Sequence, residues 1–197
     1  MNYLFTAGLW VIFHSLDYYL TLWAALWYQK GVEKHLNFAQ GYELNPDFAG
    51  EVAGLQWFSL KMLFTLVLGF LLLWGLPQVI SLNPGTYAFL AGFLLLGKVT
   101  LLIRHLGNLT LFYQILNHPE QVKGQINYGK QIPLRSSAAG FLGFSLAYLG
   151  FYFLDKNPVF LGGAAVSLVS LLNNILASLR AEPSRERLII ESLVKKT

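Results

Sequence analysis

The sequence predicts an all-α fold: a polytopic membrane helix bundle of about five transmembrane helices, with the N-terminus outside and the C-terminus cytoplasmic. Three observations predict it. Of 197 residues, 55% are hydrophobic and only 12% are charged, against roughly 25% charged in an average soluble domain. The apolar residues gather into runs long enough to cross a hydrocarbon core of about 30 Å, which takes about 20 helical residues. The lysines and arginines between those runs alternate between rich and poor loops, as they do in an inserted chain.

The first run, 3–28, lacks the basic start and the small-residue cleavage site of a secretory signal and reads as a retained helix. The later spans are expected at 57–80, 87–106, 137–154 and 158–179, with the helical pattern of the third continuing towards Leu116. Asn45-Pro46-Asp47 has the order of a helix start: a capping Asn, Pro at the first helical position and an acid in the first turn. Asn83-Pro84-Gly85 reads as a turn, and Asn157-Pro158 repeats the Asn-Pro start before the last span. The polar stretch 117–135 is expected on the membrane surface, with Ser136 and Ser137 opening the fourth span. Gly140 and Gly143 in that span, with Gly162 and Gly163 in the next, predict a tight hairpin or an oligomer interface between small-residue faces. Residues 1–182 form the transmembrane domain, and 183–197 read as a short amphipathic cytoplasmic tail able to dock a partner.

Lys30, Lys34, Lys123, Lys130, Arg135, Arg180 and the basic residues of the tail fall on one side of this arrangement, which sets the orientation. The net charge of +4 therefore reports cytoplasmic loops, and no basic module for nucleic acid is present. The absence of cysteine excludes disulfides, thiolate nucleophiles and Cys-based metal sites. No G-x-S-x-G elbow, no H-E-x-x-H pair and no internal repeat occurs.

Ionisable groups are costly in hydrocarbon, so those inside the spans must be paired, hydrated or functional. His14, Asp17 and Thr21 share one face of the first helix, with Trp10 a turn above. At about 1.5 Å per residue, Asp17 lies roughly 20 Å in from the outer boundary and Lys98 roughly 16 Å. Arg104, His105 and Asn108 follow Lys98 on the third span, and Lys61 enters the second from the cytoplasmic side. One reading makes Asp17 a buried ion-pair partner of Lys61 or Lys98 that locks helices together. The other makes the group line a water-filled cavity, with Asp17 as cation or proton site and His14 as its pH-sensitive neighbour. A metal site needs three or four ligands, so His14 and Asp17 would have to recruit His105 and Glu43. Trp10 and His14 one turn apart leave room for a haem, chlorophyll-type or quinone ligand; the cofactor is otherwise unknown.

Asp17-x-x-x-Thr21, then Glu43-x-Asn45-Pro46, then Lys61 inside the following span, resembles an uncharacterised family of small bacterial and archaeal membrane proteins. Their first two helices are similarly joined by a Glu-x-Asn-Pro loop. The resemblance covers the first third of the chain and directs attention to Asp17, Glu43, Asn45 and Lys61.

These observations lead to a small transporter or channel-like protein of a prokaryotic cytoplasmic membrane, handling a cation, proton or small polar solute. The alternative is a non-catalytic subunit or scaffold, with a homo-oligomer or complex partner at the fourth and fifth spans or the tail. A third is an intramembrane enzyme on a lipid or peptide, using Asp17, Glu43 and His105 as acid–base groups.

Overall fold

The computed structural model describes residues 2–38 and 46–181. Six helices carry the chain: α1 (Tyr3–Lys30), α2 (Pro46–Ala53), α3 (Leu60–Val79), α4 (Pro84–Asn117), α5 (Gln131–Asp155) and α6 (Pro158–Arg180). Two three-residue strands, β1 (Leu36–Phe38) and β2 (Ile126–Tyr128), pair in parallel beyond one end of the bundle. Their Phe38 and Tyr128 rings stack at 5.5 Å.

Local chemistry sets most helix starts. The side chain of Asn2 accepts from Phe5 N at 3.2 Å, and that of Ser59 from Met62 N at 3.2 Å. Asn83 and Asn157 accept from Gly85 N at 2.8 Å and Val159 N at 3.1 Å, each followed by Pro at the first helical position. These caps satisfy amide groups that a helix start leaves without partners. Pro46 opens α2 as expected; Asn45, its expected cap, lies outside the described residues, as do Glu43 and the tail 183–197.

Against five expected spans, four described helices (α3 to α6) are long and apolar enough to cross a membrane. α1 has the length, at 28 residues, but His14, Asp17, its threonines and its tyrosines make it less apolar. The third span continues past Leu106 as its pattern indicates: α4 is one helix of 34 residues, roughly 51 Å at 1.5 Å per residue. α5 starts at Gln131, so Ser136 and Ser137 lie inside it rather than capping it, and Ser137 is buried.

The partners fix the helix directions. α1 and α4 run parallel: Tyr3 meets Tyr87, Asp17 meets Lys98, and Trp27 meets Tyr113 further down. α3 runs antiparallel to α1, and side chains of α1 reach the backbone carbonyls on its side of the bundle. Trp10 Nε1 donates to Leu66 O at 3.0 Å, and below α3 the Tyr18 hydroxyl donates to Gln56 O at 2.6 Å. Within α3, residues Leu71–Gly75 widen to a π-turn, and the buried Tyr87 hydroxyl of α4 donates to Leu73 O at 3.1 Å. α5 and α6 form an antiparallel hairpin joined from Phe151–Phe160 at one end to Gln131–Ala181 at the other.

The expected hairpin between these two spans forms, but the glycines of α5 are not what brings its helices together. A Cβ on Gly140, Gly143 or Gly150 of α5 would meet open space. The close approach is between α4 and α6, where a Cβ on Gly92 would overlap the Val159 carbonyl and one on Gly162 would overlap Phe89 O. Small residues let these two backbones touch.

Candidate functional site

A cavity of about 580 Å³ lies between α1, α4, α5 and α6 and extends from mid-bundle to the end covered by α2. α1 contributes His14, Asp17 and Thr21, and α4 contributes Lys98, Arg104, His105 and Asn108. The parallel register of these helices brings the two sets together. Asp17 and Lys98 are each fourteen residues past their helix starts, roughly 21 Å down.

Asp17 is the hub. Its Oδ2 accepts from Lys98 Nζ at 2.6 Å, with both side chains mostly buried. Its Oδ1 lies 3.1 Å from His105 Nε2. The Thr21 hydroxyl donates to Asp17 O at 2.8 Å, so its oxygen is left to accept from His105 Nε2 at 3.1 Å. A hydroxyl has one proton to give, which assigns a proton to His105 Nε2. The same ring nitrogen is 3.1 Å from both the Thr21 hydroxyl and Asp17 Oδ1, so it faces the two together. The Lys98 ammonium also sits 5.6 Å from the Trp10 ring centre, a cation–π contact that helps hold a charge away from water.

His14 is in a neighbouring layer. Its Nε2 is 2.9 Å from Thr65 Oγ1 and 3.3 Å from Met62 O. A carbonyl can only accept, so Nε2 carries the proton here too. The ring stacks on Trp10 at 5.0 Å. Its Nδ1 and that of His105 are sealed from solvent and have no hydrogen-bond partner among the described residues. No cluster of three or more His, Cys, Asp or Glu side chains with metal-binding spacing occurs among the described residues. His14, Asp17 and His105 do not make such a cluster, and Glu43, which a metal site would also have to recruit, lies outside the described residues.

Lys61 departs from expectation. It is exposed, donates to Asp47 O at 2.8 Å and lies 3.8 Å from Glu51 Oε1, so it joins α3 to α2 at the rim. Lying on the second helix did not put it near Asp17: the α1–α3 register matches Met62 to His14 instead. Arg104 lies over the Phe141 ring at 4.7 Å and lines the cavity. Lys98, His105 and Asn108 share one face, as their spacing indicates.

Sequence reasoning passed over Thr65 and the polar wall of α6, where Ser170, Asn173 and Asn174 line the cavity. Adjacent amides in an apolar run were the available signal, by the rule that singled out Asp17. Comparison of the chain with family models, curated proteins and solved structures finds no match.

Proposed function

We propose that this chain is a five-span protein of a prokaryotic cytoplasmic membrane that conducts or carries a small polar solute or ion through the cavity beside Asp17. The observation that carries the reading is a roomy polar cavity beginning in the middle of an apolar bundle, with a paired carboxylate on its wall. Burying polar groups in hydrocarbon costs several kcal/mol unless they are satisfied, and such groups commonly mark solute pathways. α1 counts as the fifth crossing because it runs beside α4 over nearly its whole length and turns its polar residues inward. Basic residues at the α2 end, among them Lys30, Lys34, Lys130, Arg135 and Arg180, support an orientation with that end in the cytoplasm and the N-terminus outside.

A non-catalytic subunit is the second reading, favoured by the direct 2.6 Å Asp17–Lys98 contact, which ties α1 to α4. One experiment separates the two. Proteoliposomes are placed in outward gradients of urea, glycerol, glycine and potassium chloride, and relaxation is followed by light scattering. The transport reading expects one gradient to relax faster than in protein-free vesicles, and Asp17→Asn to abolish this while the protein stays monodisperse. If no gradient relaxes faster and Asp17→Asn only lowers the melting point, the subunit reading takes its place.

A further inference from the structure

A second, smaller cavity of about 150 Å³ lies above the first, lined by Trp10, Gly97, Val166 and Ser167 among others. The two share Lys98, Leu101, Phe141 and Ser170 on their walls. The shared residues sit at the same level on three helices. Towards the N-terminal ends of α4 and α6 the lining belongs to the small chamber, and towards their C-terminal ends to the large one. The chambers are therefore stacked along the bundle axis. Their common wall carries the Lys98 ammonium, drawn to Asp17 on one side and facing Trp10 on the other.

The small chamber is apolar apart from Lys98, Ser167 and Ser170. Ser167 is 1% exposed, and its hydroxyl has no hydrogen-bond partner among the described residues. A helical serine can return its hydroxyl to the carbonyl one turn back, and a buried hydroxyl left unpaired is costly. The chamber has room for several water molecules or a few heavy atoms of a solute. Towards the helix starts the packing tightens: Ala7, Tyr87 and Ala91 are buried together, and Gly92 lies against the Val159 backbone.

We propose that the two chambers are successive stations on one path, that Lys98 held by Asp17 is the partition between them, and that Ser167 receives a hydrogen-bonding group of the solute in the inner station. The proposal rests on the transport reading above. It makes Lys98 a positioning residue whose release from Asp17 joins the chambers.

The chain contains no cysteine, so single cysteines report accessibility without background. Asn174→Cys marks the large chamber, Ser170→Cys the shared wall and Ser167→Cys the inner station. Each is reacted with methyl methanethiosulfonate, a small neutral thiol reagent, and labelling rates are read by intact mass. Asn174→Cys and Ser170→Cys are expected to label readily and Ser167→Cys slowly. Adding Lys98→Ala, or Asp17→Asn to free the lysine, is expected to speed Ser167→Cys by an order of magnitude or more and leave Asn174→Cys unchanged. Ser167→Cys labelling as fast as Ser170→Cys in the parent overturns the partition, and so does a rate that neither variant raises. Failure of Asn174→Cys to label at all sinks the transport reading instead, so the two failures are distinguishable.

Discussion

Asp17 shows how one side chain can be affordable in an apolar helix. Its two oxygens face Lys98 at 2.6 Å and His105 at 3.1 Å, so its charge is met by groups from a single neighbouring helix. Removing one member of a buried ion pair commonly costs about 3–5 kcal/mol, because the other charge is left stranded. Lys98→Met should therefore destabilise the protein more than Lys61→Met, whose ammonium is exposed at the rim. Exposed pairs contribute about 0–1 kcal/mol. Urea unfolding in detergent micelles would compare them, and equal losses would contradict the central role of Lys98. Gly92 is the other residue with little freedom. A methyl group there meets the Val159 carbonyl, which is backbone and cannot swing away. Gly92→Ala is expected to cost about 1–3 kcal/mol by forcing α4 and α6 apart, whereas Gly143→Ala on α5 meets open space and should cost little.

Among the elements, α3 stands apart. Much of its surface is exposed, including Leu63, Phe64, Val67, Leu68 and Leu71, which suits contact with lipid. It packs chiefly on α1 and is held by hydroxyl, indole and imidazole groups donating to backbone carbonyls. The π-turn at Leu71–Gly75 belongs to the same scheme, with the Tyr87 hydroxyl donating to the Leu73 carbonyl within it. Tyr18 and Tyr87 bond Gln56 O and Leu73 O near opposite ends of this region. Tyr18→Phe and Tyr87→Phe should each cost about 0.5–1.5 kcal/mol. Because they share no partner, the double variant should lose their sum to within about 0.5 kcal/mol. A loss well short of the sum would mean that α3 docks as one cooperative unit. By contrast, α4 is gripped by α1 and α6, while α5 takes its register from α6.

At the scale of the whole molecule, the bundle has a polar end and an apolar end. The larger cavity, α2, the strand pair and most basic residues lie together, while the opposite end carries Asn2, Asn83 and the Lys156–Asn157 turn. The proposed orientation predicts that Asn2→Cys reacts with an impermeant maleimide added outside intact cells. Lys130→Cys should react only after the membrane is opened. The reverse pattern would invert the topology. Much of this plan was legible in the chain. Asn157-Pro158 marks the start of α6 because capping is local chemistry, and the apolar runs mark the four long spans, whereas Asn83-Pro84-Gly85, read as a turn, proves to be the capped start of α4. The partnership of Lys98 with Asp17 was one of two alternatives open to sequence reasoning. Lys61, the other, could be rejected only once the antiparallel register of α3 set Met62 and Thr65 beside His14.

The sequence by itself determined that this is a helical chain with long apolar segments and a few expensive polar groups within them, since length, hydropathy and capping depend on neighbours along the chain. Only the tertiary structure decided which cation answers Asp17, which glycines let backbones touch and where the cavities open. Those outcomes depend on how helices slide and rotate against one another. A shift of one turn, about 5.4 Å, would pair different residues without altering a single helix.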